Sequence, residues 1–333
     1  MKDKLYKKRK ILITGSIHKE AKKVLDLRAE TIFVLPYSSS KEIANLVKKQ
    51  QTEALIVRTG KINSDILAAS RQLKVIVKHG VGYDKIDVQT AAQLGIPVLY
   101  TPKGNYESVA EHTLALIFAL SKKLNLLDNE IKAKHTWPKN KYLLDELQDK
   151  CLGLVGMGRI GSRLIQLVFP LRMKILVYDP FISEKDFPQG IKKVKVLKEI
   201  LQKSDIVSIH CPLTEDTYHL LNEEELKNMK STAYLINTAR GAIVDEVALI
   251  KVLKKGLIAG AGLDVFEKEP LSINNPLLSL DNVILTPHIG GSNQKSLISM
   301  GLTAIKLAFQ ILDGKHEEID PDFFIKPTIK GKK

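Results

Sequence analysis

The sequence predicts an α/β protein built from two doubly wound parallel sheets. Three observations carry that expectation. Short apolar runs bounded by turn residues alternate with amphipathic segments along most of the chain. The alternation occurs twice, interrupted by one long helical stretch and a looser segment containing Trp137-Pro138. A length of 333 residues with 44% hydrophobic content suits two domains of ordinary size, each with its own core.

In the first array the strand-like runs are residues 11–14, 31–35, 54–57, 74–77 and 98–100, with helical candidates at 18–27, 40–49, 63–70 and 87–94. Strands joined through helices run parallel, and their crossovers cover both faces of the sheet. After Pro102 an amphipathic helix is predicted over 105–123, with Val109, Leu114, Leu116, Ile117, Phe118 and Leu120 as its apolar residues. Strands of the second array are predicted at 152–155, 175–178, 194–196, 206–210, 234–237, 260–265 and 283–285. A last helix at 294–312 needs a surface to cover, and we return it to the first array. One domain is then discontinuous, residues 1–103 and 292–333. The other is residues 104–291, with a cleft between them.

Bulk properties narrow the partners. The net charge is +14, with small lysine clusters at 2–10 and 326–333. No zinc-finger spacing or aromatic-rich RNA-binding signature accompanies it. The charge reads as a solvated surface whose positive field favours small anions, not as a nucleic-acid face. Cys151 and Cys211 make neither a disulfide framework nor a zinc site, and no His/Cys/Asp cluster has ligand spacing, so no metal is expected. The basic N-terminus precedes only three apolar residues, 11–13, too few for a secretory signal. The longest apolar helical stretch, 113–120, cannot span a bilayer. A soluble cytoplasmic protein without a membrane partner is expected.

The chemistry concentrates at strand ends. Gly156-Met157-Gly158-Arg159-Ile160-Gly161 follows one apolar run and opens a helix, and the next strand ends at Asp179, eighteen residues beyond Gly161. This is the dinucleotide-binding fingerprint in its strand–turn–helix context, hence a Rossmann-type domain. The helix N-terminus offers free N–H groups and partial positive charge to a pyrophosphate. Asp179 can accept from both adenosine ribose hydroxyls and repels an extra 2′-phosphate. No arginine stands at 180–183 to compensate, which points to NAD over NADP.

Other strand ends carry His288 in Thr286-Pro287-His288-Ile289-Gly290-Gly291 and Arg240 in Asn237-Thr238-Ala239-Arg240-Gly241. A guanidinium there suits a carboxylate. Glu269 lies past a further strand, where spacing alone does not choose among Asp264, Glu267 and Glu269. In the first array, Lys78-His79-Gly80-Val81-Gly82 can form an anion nest beside Arg58. His112 reads as a packed residue. His210, before Cys211-Pro212, reads as lining the nucleotide pocket. His18, His135, His219 and His316 read as surface or loop positions.

On these residues the chain, from about 54 to 292, resembles the D-isomer-specific 2-hydroxyacid dehydrogenase family. The resemblance rests on the glycine fingerprint, His210-Cys211-Pro212-Leu213-Thr214, the 237–241 run, Gly262-Leu263-Asp264-Val265-Phe266, Glu269-Pro270 and Pro287-His288. It implies a discontinuous, flavodoxin-like substrate domain, an NAD-binding Rossmann domain and a homodimer or dimer of dimers. It implies Arg240, Glu269 and His288 as catalytic residues, interconverting a D-2-hydroxy acid and its 2-oxo acid by hydride transfer. Cofactor contacts are implied for Gly156, Gly158, Arg159, Ile160, Gly161, Asp179, His210, Cys211, Pro212, Thr238, Arg240, Asp264, His288 and Gly290. Asp264 is placed near the nicotinamide carboxamide. Substrate contacts are implied for Arg58, Lys78, Gly80, Val81, Gly82, Arg240 and His288.

His288 would exchange a proton with the substrate oxygen, Glu269 would stabilise the imidazolium, and Arg240 would hold the carboxylate. Arg58 and Lys78 match basic positions that face a substrate phosphate in phosphoglycerate dehydrogenases, so 3-phosphoglycerate or hydroxypyruvate/glyoxylate are the leading substrate types. About forty residues follow Ser292, too few for the regulatory domain of longer forms. An NADH-sensing, co-repressor-like binding protein and a phosphite-type dehydrogenase are the alternatives, while Glu269 disfavours the formate type. One departure is Phe169-Pro170-Leu171-Arg172-Met173, where the family places glycine and the usual left-handed helix cap is therefore not expected.

Overall fold

The computed structural model describes residues 8–183 and 187–327, so the two terminal lysine clusters fall largely outside the described residues. The chain divides into two compact units. One runs to Asn105 and resumes at Ser292; the other is Tyr106–Gly291.

The first unit opens with β1 (Arg9–Thr14), α1 (Lys19–Asp26), β2 (Ala29–Val34), α2 (Ser40–Gln50) and β3 (Ala54–Val57). It continues through α3 (Ser64–Ala68), β4 (Val75–Lys78), α4 (Val88–Gln93) and β5 (Val98–Tyr100). Each helix starts where a side chain accepts an otherwise unpaired N–H: His18, Ser39, Asn63 and Asp87 in turn. Ser39 and Glu42 close a reciprocal capping box. The five strands pair in parallel in the order β2-β1-β3-β4-β5, the flavodoxin-like arrangement.

The second unit begins with α5 (Tyr106–Ser121) and α6 (Leu124–Lys132). Then come β6 (Cys151–Val155), α7 (Arg159–Val168), β7 (Lys174–Tyr178), β8 (Lys192–Lys193), α8 (Leu197–Lys203) and β9 (Ile206–Ile209). It ends with α9 (Glu223–Lys227), β10 (Tyr234–Asn237), α10 (Glu246–Lys254), β11 (Gly260–Leu263) and β12 (Val283–Leu285). Its seven parallel strands run β12-β11-β10-β9-β6-β7-β8. Counted within the unit this is the Rossmann order 3-2-1-4-5-6 with one strand added. The order reverses between β6 and β9, where such sheets bind ligands.

The chain then returns to the first unit with α11 (Gln294–Leu312). Ala304, Ile305, Leu307, Ala308, Phe309, Ile311 and Leu312 join Ile11, Ile13, Ile56, Val75 and Val77 in one buried cluster. Nineteen residues of this composition would be long and apolar enough to cross a bilayer. The stretch 113–120 is therefore not the longest apolar helix, and α11 places its apolar residues in a protein core.

Three local expectations are corrected. The helix foreseen over 105–123 ends at Ser121; Lys123 turns left-handed at φ 50° and α6 follows. The strand foreseen at 194–196 forms instead at Lys192–Lys193. The left-handed cap after Phe169–Leu171 does form, on Arg172 at φ 56°.

Candidate active site

Because every strand of the second unit runs the same way, its carboxyl ends share one sheet edge. The glycine turn follows β6, Asp179 follows β7, His210 follows β9, Thr238 and Arg240 follow β10, Asp264 follows β11 and His288 follows β12. Open α/β sheets bind their ligands at this edge.

Each glycine of the turn has its own physical reason. Gly156 takes φ +96°, and a Cβ there would lie 2.7 Å from the Cys211 amide nitrogen. A Cβ on Gly161 would lie 2.7 Å from the Gly156 carbonyl oxygen, so α7 and the turn touch backbone to backbone. A Cβ on Gly158 would meet no atom within 4 Å. This cradle, at the N-terminus of α7 where first-turn N–H groups lack helical partners, fits a pyrophosphate. Arg159 is exposed and Ile160 half-buried at the start of α7. Asp179 accepts from the Met157 N–H and the Phe181 N–H, both at 2.9 Å, tying the acid to the turn.

The asymmetry among the glycines is testable. Gly158→Ala should leave the melting temperature unchanged yet raise the cofactor Kd about tenfold or more, ~1.4 kcal/mol. Gly161→Ala should destabilise the unit by roughly 1–3 kcal/mol through overpacking. Calorimetry and fluorescence titration of the two variants check this.

His210 bonds Ser208 at 2.8 Å, and burial pushes its pKa down to about 4, so it stays neutral. Burial, with the Asp179 charge, pushes the Cys211 thiol up to about 11. Pro212 is exposed, its carbonyl accepting from the Thr217 hydroxyl at 2.6 Å. Buried Thr238 bonds Thr113 of α5, hydroxyl to hydroxyl, at 2.9 Å.

His288 and Glu269 meet. Nδ1 of the ring lies 3.0 Å from Glu269 Oε2, and Glu269 Oε1 also accepts the Phe266 N–H at 3.2 Å. The imidazole side chain is 45% exposed and the carboxylate side chain 13%, so the pair presents the ring. His288 holds φ 52°, a left-handed conformation that costs a non-glycine residue about 1–2 kcal/mol. The Arg240 guanidinium donates to the Ala239 carbonyl at 2.6 Å, and the Arg240 carbonyl accepts from Asn237 at 2.9 Å. A Cβ on Gly241 would lie 1.9 Å from the Phe266 carbonyl carbon, so the segments carrying Arg240 and Glu269 are in direct backbone contact. Glu267 pairs elsewhere: its Oε1 lies 2.6 Å from Nε2 of His219, a partly exposed residue in a turn.

Asp264 is 2% exposed, and its carboxylate accepts from the Thr286 hydroxyl at 2.6 Å and the Ile289 and Gly290 N–H groups at 2.8 and 2.9 Å. It supports the His288 segment from within. Burial works against its charge, but hydrogen bonds from His112, Thr286, Ile289 and Gly290 outweigh burial and hold the carboxyl below its usual range. In the first unit, the Gly80 N–H is bonded to Thr101 Oγ1 at 2.8 Å. Gly80 is thus tied into its own turn, while Val81 and Gly82 are half-exposed.

Arg58 donates to the carbonyl and hydroxyl of Ser16, and Lys78 donates to the Arg58 carbonyl at 2.7 Å. Both cations thus sit at the carboxyl ends of β3 and β4. Burial lowers the Arg58 pKa. Among the described residues no group of three or more His, Cys, Asp or Glu could hold a metal ion.

Residue-level reading missed His112. Its ring bonds Thr286 at 3.0 Å and approaches Asp264 at 3.5 Å. The available signal was a polar pair, Ser108 and His112, one helical turn apart on a helix with a strongly apolar C-terminal half.

Comparison with known proteins agrees with this geometry. Residues 114–290 match the family model described as D-isomer specific 2-hydroxyacid dehydrogenase, NAD binding domain. The chain is 42% identical over 302 residues to a glyoxylate reductase of Thermofilum pendens, covering 89% of this chain and 87% of the relative. It is 38% identical over 295 residues to a D-3-phosphoglycerate dehydrogenase of Archaeoglobus fulgidus, covering 88% of this chain but 55% of that longer protein. The crystal structure of a D-lactate dehydrogenase from Aquifex aeolicus, complexed with NAD and lactic acid, superposes with a TM-score of 0.84 at 34% identity. That match covers 96% of this chain and 100% of the other. A Rossmann order with a glycine cradle, and a histidine–glutamate pair on its carboxyl edge, thus coincide with kinship along nearly the whole chain: it belongs to the D-isomer specific 2-hydroxyacid dehydrogenase family.

Proposed function

We propose that the protein is an NAD-dependent dehydrogenase that interconverts a D-2-hydroxy acid and its 2-oxo acid, of the 3-phosphoglycerate or hydroxypyruvate/glyoxylate type. The observation that carries this reading is the His288–Glu269 pair at 3.0 Å, on the same sheet edge as the glycine cradle and Arg240. Bound NAD supplies the hydride acceptor, and NADH the donor. With Nδ1 held by Glu269, His288 Nε2 is the atom that exchanges a proton with the substrate oxygen. Negative Glu269 favours the imidazolium that forms when the substrate is oxidised. Arg240 binds the carboxylate bidentately. Asp179, with no arginine in 180–183, supports NAD over NADP.

Arg58 and Lys78 at neighbouring strand ends support a phosphorylated substrate. Exposed Trp137 (80%) and Leu143 (93%), on the segment after α6, support a homodimer or dimer of dimers.

The test is NADH oxidation with a panel of 2-oxo acids. Turnover with one or more is expected, and cofactor binding without turnover on any would overturn the enzyme reading. Within the panel, Arg58→Ala should lower kcat/KM for phosphohydroxypyruvate about 10–100-fold relative to hydroxypyruvate, the loss of one charge-assisted contact. Equal losses on both substrates would remove the phosphate contact and leave the dehydrogenase reading standing.

A further inference from the structure

The segment that presents His288 rests on a buried polar network whose bond directions follow from chemistry. Asp264 is a carboxylate and accepts only. The single hydroxyl proton of Thr286 goes to Asp264 Oδ1 at 2.6 Å. Thr286 Oγ1 must then accept from His112 Nε2, 3.0 Å away, so Nε2 carries the proton. The same nitrogen lies 3.5 Å from Asp264 Oδ1. His112 also packs directly under the loop: a Cβ on Gly290 would lie 3.2 Å from its Cδ2. One turn earlier on α5, Ser108 donates to the Gly290 carbonyl at 2.5 Å.

We propose that His112 is a positioning residue for His288, holding the 286–290 segment in place through Thr286 and Asp264. The inference rests on the reading of His288 as the proton-transferring group. A left-handed residue such as His288 persists only where its surroundings over-determine it. Here that task falls to the two amides on Asp264, the Thr286 hydroxyl and the imidazole behind them. Without the His112 N–H, the Thr286 oxygen loses its donor and the segment gains freedom. Proton transfer is sensitive to displacements on the order of 1 Å.

The experiment compares His112→Leu, His112→Gln, Thr286→Val and the double variant His112→Leu/Thr286→Val, with His288→Ala as reference. His112→Leu should lower kcat about 10-fold while leaving the NADH Kd and substrate KM within about twofold. His112→Gln, which restores an N–H donor, should recover most of the rate. Thr286→Val should show a comparable loss, and the double variant should be no worse than the worse single one, because both act through one bond. Should His112→Leu fail to fold, Thr286→Val and His112→Gln carry the same comparison. A wild-type kcat in His112→Leu, no recovery with glutamine, or losses that multiply in the double variant would overturn the inference. If His288→Ala itself keeps wild-type turnover, the parent reading falls. If His288→Ala is inactive and His112→Leu is normal, only the positioning role falls.

Discussion

His288→Ala will lower kcat for 2-oxo acid reduction by about 10²–10⁴-fold, the contribution of a positioned acid–base group, and leave NADH binding nearly intact. The geometry makes the two effects separable. Ring nitrogen Nδ1 faces Glu269 at 3.0 Å, so truncation removes the proton carrier together with its orienting bond. The backbone around it is held by other groups: Ile289 and Gly290 remain on Asp264, and Glu269 Oε1 still accepts the Phe266 N–H. Alanine also keeps a Cβ, so the left-handed cost at position 288 is unchanged. The melting temperature should therefore stay where it is. Steady-state kinetics and a fluorescence titration of the cofactor decide the matter. A cofactor Kd weakened in proportion to kcat would show that the imidazole shapes the binding edge and does not move the proton.

The second large effect is on stability. Two histidines, one in each unit, are held neutral. In the first unit, burial followed by the charges of Arg58 and Lys78 pushes the His79 pKa down to about 4. In the second, burial alone takes His210 to about 4. In the unfolded chain both titrate near 6.5. Between those values the unfolded state binds more protons than the folded one, so stability falls as pH drops. The contribution is fully present above pH ~6.5 and is lost as pH falls toward ~4, at up to about 1.4 kcal/mol per pH unit for each group, or roughly 3 kcal/mol each in total. Melting curves across that window should show steep acid destabilisation. His79→Gln removes one of the two proton acceptors and should flatten the dependence. An unchanged slope in that variant would show that His79 already carries its proton, or loses its burial, in the native state.

How far the sequence could be read depended on whether the deciding contact was local. The glycine turn is local: three fixed positions carry a positive φ at Gly156, open space at Gly158 and close backbone contact at Gly161. Most strand ends were legible because an apolar run followed by a turn residue marks its own boundary; the exceptions were the strand at Lys192–Lys193 and the end of β11 at Leu263. Choosing among Asp264, Glu267 and Glu269 was not a local matter, since all three follow one strand within six positions. Their partners separate them, and those partners lie on other loops: Thr286 and Ile289 for Asp264, His219 for Glu267, His288 for Glu269. His112 was illegible for the same reason. Its apolar neighbours indicate packing, while Thr286 and Asp264 are more than 150 positions away. At Arg172 the rule that left-handed caps need glycine met a loop that imposes the conformation on arginine at φ 56°. The bond of the Gly80 amide was not local either, since its acceptor, Thr101, lies just past β5.

The bare peptide at Gly241 has a bearing on redesign. With no room for even one carbon between it and the Phe266 carbonyl, the stretches bearing Arg240 and Glu269 behave as a single cassette. Grafting one of them from a relative with a different appetite would drag the other out of register. A library aimed at new oxo acids should exchange both together, or leave both alone and vary the cations on the smaller sheet.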